Sequence, residues 1–482
     1  MNIREVLHIV AALLVWTAAA MLLPAAYAIG EGLLLPWLAA AGTTGLVGIG
    51  LWLLTPRKVS INPREGLAVV GLGWLAVVVA GTLPFVFTGV TDSVVAAFFE
   101  SVSGFTTTGA TVFPAAEELP RSILFWRSIS HWLGGMGIIV LGVAILPMVG
   151  MGGAQLFRAE TPGIASDRLT PRIASTARLL WSVYAGFTVV LALIYMALGM
   201  SVFDAINNAM SCLATGGFST KTASFGAFSN TIQWVTVLFM LIGGINFTLH
   251  YRSLTGDPKR MLGDYEWRWY MAIAFGAMVA VFVTLAATGS VVDGSVLRDS
   301  VFNVTAIITT TGFTTTDFSL WPVFAQVILL GLMFTGGMGG STSGGFKVVR
   351  VVVVLKHAVA EVRKVLHPRA VMVTKLGTRP VRSDVLLNVL GYLALYMTTH
   401  AVGTALLTAL GVDLVTALSA ALAAMSSIGP ALGAVGPAAH YGDIGAGAQL
   451  LLAGLMLLGR LEFYTLLVLV IPGTWDKWGG HL

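Results

Sequence analysis

Four short stretches concentrate threonine, serine and glycine in the same way. They read AFFESVSGFTTTGAT over residues 97–111, NNAMSCLATGGFST over 207–220, FNVTAIITTTGFTTT over 302–316 and LSAALAAMSSIGPALG over 418–433. In each, a short apolar run is followed by a polar loop centred on one glycine: Gly109, Gly216, Gly312 and Gly429. These glycines lie 107, 96 and 117 residues apart, the mark of an internal repeat. Rings of backbone carbonyls and hydroxyls can replace the water around a monovalent cation without a full countercharge. Thr106–Thr108 and Thr309–Thr311 are rich in hydroxyls, and glycine permits the positive φ that turns successive carbonyls to one side. Anion chemistry would want arginine or lysine in these loops, and only Lys221 lies near one.

The elements that would position these loops follow from hydropathy. The chain has 482 residues, 56% hydrophobic and 10% charged, with mean hydropathy +0.87. Soluble domains carry about 25% charge, so this is a polytopic membrane protein. Apolar spans occur near 6–29, 33–55, 66–88, 123–149, 179–200, 230–251, 269–290, 321–355, 385–410 and 445–471. The four short units fall after the third, fifth, seventh and ninth spans. Asp92, Asp204, Asp299 and Asp413 precede the glycines and read as helix N-caps. Helices of about three turns cannot cross a bilayer, which takes about 20 residues. They read as re-entrant, a shape tolerated only where buried in protein or lining water. Their C-terminal dipole ends would favour a cation. The fold expected is an all-α integral membrane protein, with four pseudo-symmetric helix–pore-loop–helix repeats around a central pore and two extra N-terminal helices. The boundaries are 1–65 for that pair and 66–155, 156–255, 256–384 and 385–482 for the repeats.

Charge sets the orientation. Of 27 lysines and arginines, 22 fall in loops on one side, including Arg57, Lys58, Arg64, Arg158, Arg168, Arg172 and Lys477. The positive-inside rule then puts both termini in the cytosol. The outer side holds Arg121, Arg127, Lys221 and Arg298 against eleven acids, among them Glu100, Asp293 and the four aspartates. A negative vestibule would concentrate cations, although the aspartates also read as plain caps. Cys212, the single cysteine, excludes an internal disulfide and reads as a small core residue. The net charge of +5 comes from the cytosolic loops and is no nucleic-acid signal.

Two features sit at membrane depth. The run GGMGGSTSGG over 336–345 has six glycines and will not hold a regular helix. It reads either as a kink for packing or as a movable segment. The phosphate-loop spacing fails, because Phe346 separates Gly345 from Lys347. Arg460 in LMLLGRLEFYTLL costs ~3 kcal/mol near the bilayer centre, so it either snorkels or faces a cavity. Gly134, Gly135 and Gly137 of WLGGMG read as close helix packing, and His131 as a structural hydrogen-bonder.

The motifs SGFTTTGAT, ATGGFST, TTTGFTTTDF and SSIGPALG resemble the four selectivity-filter loops of the Trk/Ktr/HKT superfamily of potassium transporters. WLGGMGIIVL at 132–141, GGMGGSTSGGFKVVR at 336–350 and GRLEF at 459–463 match as well. The resemblance spans nearly the whole chain, and the extra N-terminal pair is similar to the bacterial TrkH type. It implies one filter with a glycine from each repeat. The K+ ligands it implies are Thr107, Thr108 and Gly109, Ala214, Thr215 and Gly216, Thr310, Thr311 and Gly312, and Ser427, Ile428 and Gly429. Family members with serine at the first filter position favour sodium, and Gly109 there implies potassium. The fourth loop departs from the threonine-rich pattern at Ser427, Ile428 and Pro430, leaving the carbonyls of Ile428 and Gly429. The resemblance makes Gly336, Gly337, Gly339, Gly340, Ser341, Thr342, Gly344, Gly345 and Lys347 an intramembrane gate and Arg460 a pore arginine below the filter. It also implies a homodimer in the bacterial inner membrane and a TrkA-type cytosolic regulatory ring that binds NAD or ATP.

This chain itself carries no nucleotide-binding motif and no nucleophile–base pair or metal cluster, so a membrane enzyme is the weakest reading. The nine bases from Lys347 to Arg382 suit anionic lipid headgroups or a cytosolic protein. The expected function is a gated, K+-selective uptake channel. The alternatives are a Na+- or H+-coupled symporter and the ion-conducting subunit of an ATP-driven pump.

Overall fold

The computed structural model describes residues 3–55, 63–140, 173–288, 294–369, 372–377, 379–463 and 465. The far ends of the fourth, seventh and tenth expected spans lie outside the described residues. So do Arg57, Lys58, Arg158, Arg168, Arg172, Asp293, Lys477, the side chain of Arg64 and the boundary at 155/156.

Helices α1 (Ile3–Glu31) and α2 (Leu34–Leu54) form an antiparallel pair at the N-terminus. Then a long helix, a short helix and a third helix recur. The first set is α3 (Pro63–Phe87), α4 (Val94–Phe105) and α5 (Arg121–Val140). The second is α6 (Ile173–Ala197), α7 (Val202–Leu213) and the broken pair α8 (Asn230–Gly243) and α9 (Phe247–Leu254). A short α10 (Lys259–Gly263) leads to α11 (Tyr265–Ala287), α12 (Gly294–Ile308), α13 (Val323–Thr335) and α14 (Val348–Leu366). After a two-residue hairpin, β1 (Lys375–Leu376) with β2 (Arg379–Pro380), come α15 (Ser383–Ala409), α16 (Leu414–Ser426) and α17 (Ala446–Arg460). Among the described residues, six helices are long and apolar enough to span a bilayer: α1, α2, α3, α6, α11 and α15.

Three of the four short helices are 12 or 13 residues long and α12 is 15, all below bilayer length. Their C-terminal halves are buried, apart from a partly buried Met210 in α7. The expected aspartate caps hold only at Asp413, whose carboxylate accepts from Thr416 N–H at 3.1 Å. The hydroxyl and N–H of Thr416 hold that carboxyl below the usual carboxylate range. Ser93 caps α4 and Ser201 caps α7, because a hydroxyl one residue before the first turn reaches the free N–H groups. Asp204 and Asp299 lie inside their helices, Asp299 beside Arg298 at 3.3 Å.

The sixth expected span, 230–251, is bent by 102° between α8 and α9. Gly243 and Gly244 end α8, and the Asn246 side chain starts α9 by accepting from Thr248 N–H at 2.8 Å. The eighth expected span is interrupted at 336–347, as six glycines demand.

Candidate functional site

The four short helices end alike. Each passes into one residue with left-handed backbone: Thr107 at φ 53°, Thr215 at 52°, Thr310 at 56° and Ser427 at 55°. Such a conformation costs a non-glycine residue about 1–2 kcal/mol. It persists where the surroundings over-determine it, and four copies at one position point to a functional constraint. The next residue returns its N–H to the helix: Thr108 to Ser103 O, Gly216 to Ser211 O, Thr311 to Ala306 O and Ile428 to Ala423 O, at 2.8–3.0 Å. Then comes a glycine with positive φ: Gly109 at 79°, Gly217 at 87°, Gly312 at 74° and Gly429 at 92°.

This pattern corrects the second loop by one residue. Gly217, not Gly216, is the counterpart of the other three glycines. Gly216 stands where the other loops have Thr108, Thr311 and Ile428.

The loops close a ring. A Cβ added to Gly109 would overlap the carbonyl oxygen of Gly216. One on Gly217 would overlap that of Thr311, one on Gly312 that of Ile428, and one on Gly429 would lie 2.6 Å from that of Thr108. Each glycine thus faces a carbonyl of the next loop, and the fourth returns to the first. Among the described residues no hydrogen-bond donor reaches the carbonyls of Thr108, Gly216, Thr311 or Ile428. Buried carbonyls are almost always paired, so a ring of four unpaired ones has acceptor capacity for a cation.

The side chains divide differently from the expectation. The hydroxyls of Thr108 and Thr311 are tied to Thr106 and Thr309, at 2.8 and 2.7 Å. Thr215 donates to the adjacent Ala214 carbonyl at 2.7 Å. The hydroxyls of Thr107 and Ser427 are buried without a partner among the described residues. The Gly429 carbonyl, expected to be available, accepts from Tyr441 Oη at 2.6 Å, which leaves Ile428 as the carbonyl of the fourth loop. On one side of the ring a cavity touches all four glycines, with Arg127, Phe218, Lys221 and Pro430 in its wall.

On the other side lies the 336–347 segment. Gly344 N–H donates to Thr310 Oγ1 at 2.7 Å. Thr342 Oγ1 donates to the carbonyls of Leu213 and Gly243, at 3.0 and 3.1 Å. Met338 N–H reaches Gly244 O at 3.0 Å, and Gly340 O accepts from Phe247 N–H at 3.2 Å. Gly339 N–H donates to the buried Glu266 carboxylate at 2.7 Å. The bend between α8 and α9 is therefore the seat of this segment. Sequence reading missed it, although Gly243-Gly244-Ile245-Asn246 carries a helix stop followed by a helix start. Lys347 folds its ammonium back onto the Ser343 carbonyl.

Arg460 does not snorkel. Its side chain is buried at the end of α17, and Nη1 donates to Thr342 O at 2.8 Å. Its Nε and Nη2 have no hydrogen-bond partner among the described residues. Glu462 turns away and pairs with Arg350 at 2.9 Å. Gly134 abuts Phe105 O and Gly135 abuts Ala214 Cα, so these glycines serve close packing as expected.

Re-entrant helices converging on a carbonyl ring inside a multi-pass helical membrane protein define a cation-transport protein, not an enzyme. The model of the TrkH family, described as cation transport protein, matches residues 41–475, and the chain belongs to this family. The Trk system potassium uptake protein TrkH of Vibrio parahaemolyticus is 40% identical over 98% of this chain and all of its own length. The protein of that name from Halomonas elongata is also 40% identical, over 99% of this chain and all of its own length. The crystal structure of the potassium transporter TrkH from Vibrio parahaemolyticus superposes with a TM-score of 0.91. That match has 38% identity and covers 99% of this chain and 100% of the other.

Proposed function

We propose that the protein is the membrane subunit of a bacterial potassium uptake system, a K+-selective channel gated from within the bilayer. The ring of unpaired carbonyls from Thr108, Gly216, Thr311 and Ile428 is the observation that carries this reading. Thr107, Thr215, Thr310 and Ser427 form the next layer, and Gly109, Gly217, Gly312 and Gly429 let the loops approach. Four converging C-terminal helix dipoles add negative potential where the ion loses water.

The 336–347 segment is the gate in its closed position, bonded to the ring through Thr310 and to the α8–α9 bend. Arg460 holds the segment and repels cations below the ring. The bilayer is the bacterial inner membrane, with both termini in the cytosol. The chain works as a homodimer with a TrkA-type nucleotide-binding ring on the cytosolic face. The basic α14 with its exposed Leu355, Val359 and Val362 supports a partner there, beside anionic lipid. Coupled symport is the weaker reading, since Glu462 is engaged by Arg350 and Glu266 by Gly339.

The test is 86Rb+ uptake into liposomes holding the purified protein alone. Uptake without ATP, blocked by K+ and not by Na+, is the expected result. Uptake that appears only under a proton or sodium gradient would replace the channel by a symporter.

A further inference from the structure

Glu100 and Arg127 were expected among the solvent-facing outer charges. They meet in the core instead, Arg127 Nε to Glu100 Oε1 at 2.8 Å, with side-chain exposures of 4% and 0%. A buried pair of this kind is poor evidence for stability, because desolvation offsets most of the attraction. What it holds is informative.

Glu100, on α4, accepts from Val112 N–H at 3.0 Å and from Thr111 Oγ1 at 3.1 Å. Both donors lie in the first ring loop, two and three residues after Gly109. Arg127 Nη2 donates to the same Thr111 Oγ1 at 3.2 Å. The Arg127 guanidinium also lies over the ring of Phe218, 4.0 Å from its centroid. Phe218 follows Gly217 in the second loop. Its other face stacks on His131, at 4.1 Å between centroids and 12° between planes. His131 Nδ1 bonds Ser211 Oγ at 3.0 Å, and Ser211 O receives the N–H of Gly216. A Cβ on Gly216 would overlap the His131 ring, which explains why the second loop needs glycine there too. One cation therefore ties the first loop to the second across a repeat boundary.

We propose that Glu100, Arg127 and Phe218 are positioning residues that fix the spacing of the first and second ring loops and thereby set the preference for K+ over Na+. The proposal rests on the reading of the ring as the ion filter. A guanidinium planar enough to bond Thr111 edge-on and cover Phe218 face-on does both tasks at once, which lysine cannot do. Glu100 has a second effect. It neutralises a cation that lines the cavity outside the ring and would otherwise repel arriving ions.

The test compares full-length wild type with Glu100→Gln, Phe218→Leu and the double variant in liposomes. It reads the ratio of Na+ to K+ concentrations that halve 86Rb+ uptake. A ratio is independent of how much protein is folded, so a merely structural role does not move it. Each single variant is expected to lower the ratio about tenfold, and the double variant no further, since both break one linkage. Phe218→Leu keeps the ion pair and an apolar side chain at the site, so it carries the test even where Glu100→Gln fails to fold. A selective wild type with an unchanged ratio in Phe218→Leu overturns the proposal alone. A wild type that takes up Rb+ without preferring K+ overturns the filter reading and this proposal with it.

Discussion

A side chain has no room at Gly217, where φ is 87° and a Cβ would overlap the Thr311 carbonyl. Gly331 on α13 is the useful contrast, because nothing among the described residues lies within 4 Å of a Cβ there. Gly217→Ala incurs the left-handed cost of about 1–2 kcal/mol and pushes on a carbonyl of the ring. Gly331→Ala only gains helix propensity. We expect Gly217→Ala to lower 86Rb+ uptake at least about tenfold at equal incorporation, a barrier change near 1.4 kcal/mol, while Gly331→Ala stays at the wild-type level. Equal rates in the two would remove Gly217 from the ring. The sequence made the glycine-and-threonine pattern legible, but it could not choose between Gly216 and Gly217. The bond from Gly216 N–H to Ser211 O and the positive φ of Gly217, both matched in the other three loops, make that choice. The engaged carbonyl of Gly429 was hidden for a similar reason: its partner Tyr441 is twelve residues away and carries no local signal.

At the scale of elements, the break between α13 and α14 has its ends already joined. Phe346 N–H donates to Phe334 O at 3.0 Å, Lys347 N–H to Thr335 O at 2.9 Å and Val348 N–H to Gly337 O at 3.1 Å. The segment is a loop whose neck is closed, so excising 336–345 leaves little gap to bridge. We expect the deletion to elute like wild type on size exclusion and to raise 86Rb+ uptake by the protein alone. Arg460→Ala, which removes the bond to Thr342 O, should act in the same direction with a smaller rise. A well-folded deletion with unchanged or lower uptake would show that the loop supports the ring instead of closing it. Glycine density made this break readable in the sequence. The α8–α9 bend escaped because Leu241 and Ile242 before it, and Ile245 and Phe247 after it, keep the hydropathy of a continuous span. The serine caps escaped because an aspartate lies within three residues of each and is the stronger-looking candidate.

For the whole molecule the question is what drives the ion. Hydropathy and charge content made the membrane class legible, because both are sums over many residues and tolerate local error. Energy coupling is not such a sum. It depends on whether an acid in the spans is free to bind and release a second ion. Among the described residues, the acids near the conduction path are engaged: Glu100 by Arg127, Glu266 by Gly339 N–H and Glu462 by Arg350. None is poised to carry a proton in step with K+. The current should then obey the K+ gradient alone. In a planar bilayer with a tenfold K+ gradient, we expect a reversal potential near the single-charge value of about 59 mV. It should stay there when a unit of pH difference or a tenfold Na+ gradient is added. A shift of tens of millivolts with pH would identify one of these acids as a proton carrier, and Glu462 would be the first to replace, because its side chain is 18% exposed while that of Glu100 is sealed. A shift with Na+ would place a second cation in the ring itself, where the free hydroxyls of Thr107 and Ser427 are the available ligands.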